Sequence, residues 1–100
     1  METVLPPKDC HTMADLRIQI DALDEELIRL LALRSGYIDR AVDLKKIEGL
    51  PARTTDRVAE VLGKVRSLAA AHDLDPALAE TLWGELIEWG IQRELKELDT

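Results

Sequence analysis

The chain has 100 residues, 46% hydrophobic and 33% charged, a balance that fits one small folded domain and excludes a disordered chain. A net charge of −7, with scattered basic residues and few aromatics, excludes a nucleic-acid surface. Cys10 is the single cysteine, which excludes an intrachain disulfide; no signal-peptide pattern is seen and charges interrupt every apolar run, so the expected setting is cytoplasmic.

Residues 1–11, with Pro6 and Pro7, read as an irregular arm, and residues 12–100 as one helical domain. Thr12 stands three before Asp15, a start resembling a capping box, with the carboxylate favourable to the helix dipole. From there to about Ile47 nothing stops a helix, although Gly36 costs about 1 kcal/mol relative to alanine. Gly49 and Pro51 terminate it. A second helix starts at Thr55 or Asp56, buries Val58, Val61, Leu62, Val65 and Leu68, and is broken by His72-Asp73-Leu74. Asp75-Pro76 is an N-cap followed by proline at the first helical position, opening a third helix to about Leu98. No strand pattern or internal repeat is present, so the fold class is all-α with three helices.

The first helix is too long for one protomer to cover. At 1.5 Å per residue it spans roughly 50 Å. A compact domain of this size has a radius of gyration of about 13 Å. A second copy supplying the same helix would complete the packing, which predicts an intertwined homodimer.

On this helix one face reads Leu16, Ile20, Leu23, Leu27, Leu30, Arg34, Ile38, Ala41, Lys45, in steps of three and four residues. Arg34 and Lys45 therefore point into whatever the leucines pack against. A buried unpaired cation is costly, so each requires a protein carboxylate or an anionic ligand. They stand close to three full turns apart, roughly 16 Å along the axis, and long side chains can converge on one small polyanion between them. Arg17 borders the same stripe and Arg57 opens the second helix beside its apolar face; either one alone is explained as well by snorkelling. On the third helix Trp83, Ile87, Ile91, Glu94 and Leu98 form an apolar line carrying one carboxylate. Pairing of Glu94 with Arg34 or Lys45 across a core is the plain structural alternative. His11 and His72 lie at helix ends, where capping or exposure explains them. No Cys/His spacing suggests zinc, no glycine-rich phosphate loop appears, and no nucleophile has an evident base. Neither a metal nor a cofactor is expected. Trp83 and Trp89 read as core.

In these residues the chain resembles the all-α chorismate mutases, the AroQ class, over nearly all of residues 9–98. The likeness runs through Ala14-Asp15-Leu16-Arg17, Ile20-Asp21-Ala22-Leu23-Asp24, Leu33-Arg34, Lys45 and Asp56-Arg57. The opening Asp9-Cys10 and Met13 through Arg17, with Leu86-Ile87-Glu88-Trp89, look most like the isochorismate-pyruvate lyase branch. The resemblance implies a three-helix protomer in an interlaced homodimer. It implies that Arg17 reaches into the partner's site, while Arg34, Lys45, Arg57 and the polar residue of the third helix come from one chain.

Two departures stand out. Glu94 replaces the glutamine of many members, as in the fungal enzymes. Val58 replaces the glutamate that bacterial mutases place after the arginine of the second helix to hold the substrate's ring hydroxyl; the hydroxyl of Thr54 or Thr55 is the expected substitute. Arg53 in the same loop adds positive charge. Ile91 and Val58 count among the residues expected to touch substrate. The activity implied is the [3,3] rearrangement of chorismate to prephenate, a dicarboxylate substrate handled without cofactor. In it Lys45 stabilises the breaking ether oxygen, and Glu94 assists only as a protonated donor. Alternatives are pyruvate elimination from isochorismate, rearrangement of 4-amino-4-deoxychorismate, and, in a different class, a non-catalytic helical dimer or adaptor.

Overall fold

The computed structural model describes residues 5–98; residues 1–4 of the expected arm and 99–100 of the expected domain lie outside the described residues. Among those described, a 3-10 turn at Pro7–Asp9 precedes α1 (Met13–Glu48), α2 (Thr55–Ala71) and α3 (Pro76–Leu95), with no strand. Pro6 and Pro7 pre-set φ for a tight turn, and the Asp9 and Cys10 N–H groups donate to the Pro6 and Pro7 carbonyls at 2.9 and 3.1 Å.

The ends of α1 follow the expected chemistry. Thr12 Oγ1 accepts from the Asp15 N–H at 3.0 Å. Gly49 lies at φ 71°, and the Leu50 N–H donates back to the Lys45 carbonyl at 2.9 Å, closing the helix with a left-handed turn. The helix has 36 residues.

The chain divides at Gly36 into two compact units. In the first, Leu5 N–H donates to Gln19 Oε1 at 3.0 Å. Its apolar stripe is uncovered: Ile20, Leu23, Leu27 and Leu30 are 37% to 57% exposed, and Ile18, Ile28 and Leu33 are exposed beside them. Such a continuous apolar surface is characteristic of an association face.

In the second unit α2 packs on α3 through Val65, Ala69 and Ala79, flanked by Val61 and Trp83. The pair is joined at the surface by Arg66 and Glu80. Asp73, at φ 58°, takes the left-handed position that ends α2, and Leu74 N–H donates to the Ala69 carbonyl at 2.8 Å. Asp75 Oδ1 accepts from the Ala77 N–H at 2.9 Å, and Pro76 begins α3. The last turns of α1 are held to α3 by the Asp39–Arg93 pair (2.6 and 3.1 Å) and by Ile38, whose Cδ1 would lie 3.6 Å from a methyl at Gly90.

Three expectations are corrected. Leu68 is 60% exposed, at the mouth of an apolar hollow of about 190 Å³ also lined by Val65, His72, Leu74 and Trp83. Trp89 is 48% exposed, with the Arg93 guanidinium 5.3 Å above its ring. α3 stops at Leu95, its final turn tightened by Glu97 and Leu98 N–H groups that share the Glu94 carbonyl. No helix among the described residues is long and apolar enough to cross a membrane.

Candidate active site

Lys45 stands one turn before the end of α1, its side chain 16% exposed. Its Nζ donates to the Ala52 carbonyl at 2.7 Å and lies 2.8 Å from Glu94 Oε1. Glu94 is buried, with 6% of its side chain exposed, because α3 turns Gly90, Ile91 and Glu94 inward along one face. The close Lys45–Glu94 approach is an ion pair by distance but not a hydrogen bond by angle, so the buried Oε1 has no hydrogen-bond donor. An ammonium has three protons. One is spent on Ala52 and one side of the group faces Glu94.

The loop between α1 and α2 supplies the carbonyl. Gly49 turns the chain back, Pro51 follows, and Ala52 is only 2% exposed. Beyond it Arg53 Nη2 donates to both oxygens of Glu88 on α3 at 2.7 and 2.9 Å. Gln92 Nε2 also donates to Glu88 Oε1, at 3.0 Å. These bonds hold the Glu88 carboxyl below the usual carboxylate range, Arg53 contributing most, and raise the Arg53 guanidinium.

The remaining expected residues are placed unevenly. Arg57 is exposed and donates to Glu60 Oε1 at 2.5 Å. Thr54 is the half-buried N-cap of α2; its carbonyl accepts from the Val58 N–H at 3.1 Å, but its hydroxyl makes no cap bond. Thr55 is exposed, Val58 half-buried and Ile91 4% exposed. In the first unit Arg34 is half-buried and Arg17 exposed. Among the described residues neither forms an ion pair with a carboxylate.

The structure therefore brings Lys45 and Glu94 together and leaves Arg57 on a surface partner. Of the two stripe cations, Lys45 is the one that Glu94 meets. The Ala52 carbonyl and the Arg53–Glu88 pair were not legible beforehand. A backbone acceptor carries no side-chain signature, and the ion pair joins positions 35 residues apart. Chemically the arrangement is a shielded cation steadied from two sides. It presents a positive charge held in place by its protein contacts.

Among known proteins, the chorismate mutase type II family matches residues 16–95 of the chain. An isochorismate pyruvate lyase of Pseudomonas aeruginosa is 33% identical over 91 residues, covering 90% of this chain and 88% of the lyase. A chorismate mutase of Methanocaldococcus jannaschii is 25% identical over 76 residues, 76% of this chain and 77% of that protein. A 4-amino-4-deoxychorismate mutase of Streptomyces pristinaespiralis is 31% identical over 72 residues, 72% of this chain and 56% of that protein.

Proposed function

The chain belongs to the type II chorismate mutase family, and from that premise we propose that it is an enzyme rearranging chorismate to prephenate in the cytoplasm. The observation that carries the reading is the Lys45 ammonium, held 2.7 Å from the Ala52 carbonyl and 2.8 Å from Glu94 Oε1 at the end of an apolar helix face. In the reaction the ether C–O bond breaks as a C–C bond forms between the enolpyruvyl methylene and the ring. No atom, proton or electron is gained or lost, so no nucleophile or redox group is required. The protein must fold the substrate into a reactive chair and stabilise negative charge growing on the ether oxygen.

Lys45 is the group for that charge. Its two protein contacts fix the ammonium before substrate arrives, so little reorganisation accompanies the transition state. Glu94 stands beside the ammonium, and its place on the same oxygen is that of a hydrogen-bond donor, since a carboxylate there would oppose the developing charge and offset Lys45. Arg34 and Arg57, with Arg17 of the partner subunit, take the two carboxylates as bidentate partners. Arg57 gives up its Glu60 contact to do so, a small cost because an exposed pair contributes about 0–1 kcal/mol. Thr54 or Thr55 holds the ring hydroxyl, and Val58 and Ile91 form apolar walls. The exposed stripe of α1 is covered in this reading by a second copy, giving an interlaced homodimer whose sites draw on both chains.

A second reading has its own support. Val58 is apolar where a ring-hydroxyl partner is expected, and the lyase relative aligns over 90% of the chain. Pyruvate elimination from isochorismate breaks an equivalent ether bond and uses the same charge. Measuring kcat/KM with chorismate, isochorismate and 4-amino-4-deoxychorismate side by side tests both. Prephenate formation is expected to dominate. Faster release of pyruvate and salicylate from isochorismate would transfer the assignment to the lyase, and turnover of none of the three would remove the enzyme reading.

A further inference from the structure

The loop formed by residues 49–54 is tied to α1 at two points and to α3 at one. Leu50 N–H reaches the Lys45 carbonyl, and the Lys45 side chain reaches the Ala52 carbonyl at 2.7 Å. The tie to α3 is Arg53 on Glu88, oriented in turn by Gln92. Among the described residues this is the one side-chain ion pair made by the loop, and Thr54 makes no side-chain cap bond to α2.

We propose that Arg53 and Glu88 are positioning residues: their ion pair latches the loop onto α3 and so sets where the Lys45 ammonium stands. This rests on the assignment of Lys45 as the charge for the ether oxygen. The Ala52 carbonyl and the Arg53 N–H belong to one rigid, planar peptide group. Restraining the Arg53 backbone through its guanidinium therefore narrows the directions open to the carbonyl that Lys45 uses. Release of Arg53 lets that carbonyl swing away and leaves Glu94 as the nearest protein contact of the ammonium. The cation then moves toward the carboxylate and away from the ether oxygen.

A purely structural role gives a different pattern. Arg53 and Glu88 are 49% and 48% exposed, so the pair adds little to folding. Positioning acts where ångström displacements matter, and a misplacement of about 1 Å costs up to about a hundredfold in rate. Arg53→Ala and Glu88→Ala are each expected to lower kcat about tenfold or more, with KM nearly unchanged because the carboxylate-binding arginines are untouched. The double variant should be no worse than either single one. The exchanged pair Arg53→Glu/Glu88→Arg should regain much of the loss.

Hydrogen exchange gives a readout separate from turnover. In both single variants the Leu50 amide, which donates to the Lys45 carbonyl at 2.9 Å, should exchange faster while the amides of α2 and α3 stay as in the parent. Unaltered loop exchange, or kcat within about twofold of the parent in both variants, overturns the latch. A parent protein inactive on all three substrates would refute the function above, and loop exchange would still decide whether Arg53 and Glu88 hold the loop.

Discussion

Replacing Lys45 with methionine keeps the methylene stem in its packed place and removes only the ammonium. Two consequences separate. For catalysis, losing one preorganised group costs on the order of 3 kcal/mol, about a hundredfold in kcat, and a full cation costs more. For folding, Glu94 is left buried at 4% exposure with its charged neighbour gone. A broken buried pair costs about 3–5 kcal/mol, and less here because the Lys45 side chain keeps 16% exposure. That is still a large share of a typical domain stability of about 5–15 kcal/mol. The variant Lys45→Met/Glu94→Gln divides the two effects, since glutamine fills the same space without a charge. Thermal unfolding and steady-state kinetics on both variants, with chorismate as substrate, form the assay. The double variant should recover thermal stability and remain at least a hundredfold below the parent in kcat. A kcat within about tenfold of the parent, equivalent to about 1.4 kcal/mol, would refute the electrostatic role of Lys45.

Glu94→Gln keeps a hydrogen-bond donor of the same size, so its kcat should stay within about tenfold of the parent while Glu94→Ala loses more; an equal loss in both variants would exclude a donor role at this position. Mixing an Arg17→Ala chain with a Lys45→Met chain should restore activity, because half the sites of the mixed dimer regain every cation; no recovery in a verified heterodimer would refute the sharing of Arg17. Glu88 and Asp39 are held below the usual carboxylate range by Arg53 and Arg93. Their contribution to stability is therefore complete above that range and is lost as the pH falls through the depressed values. Glu88→Gln and Asp39→Asn should flatten the acid decline of the thermal midpoint, and a decline parallel to the parent's would show that these pairs do not titrate with folding.

The helices were legible because their ends are written in local chemistry. Thr12 with Asp15, Gly49 with Pro51, and Asp75-Pro76 each satisfy or terminate backbone hydrogen bonds within a few residues, and the structure uses each. Asp73 served as the left-handed terminator of α2 without glycine, as a short polar side chain permits. Periodicity placed Lys45 and Glu94 on apolar faces of separate helices, which made their meeting one of two open pairings; Arg34 was the other. Which apolar positions are covered was less legible. Leu68 and Trp89 fit helical core faces in sequence yet stand in the open, because periodicity describes a face and not what lies across from it. In sequence Arg53 reads only as added charge, since its pairing with Glu88 is a property of how α3 returns past the loop.

The most direct measurement is a crystal structure of the protein with a cyclic dicarboxylate ether that mimics the folded transition state. Expected is the ether oxygen within hydrogen-bond distance of Lys45 Nζ and Glu94, Lys45 still on the Ala52 carbonyl, and the carboxylates on Arg34, Arg57 and Arg17 of the partner subunit. A ligand bound away from Lys45, with the ammonium still turned to Glu94 alone, would contradict the assignment of this lysine as the charge that drives the reaction.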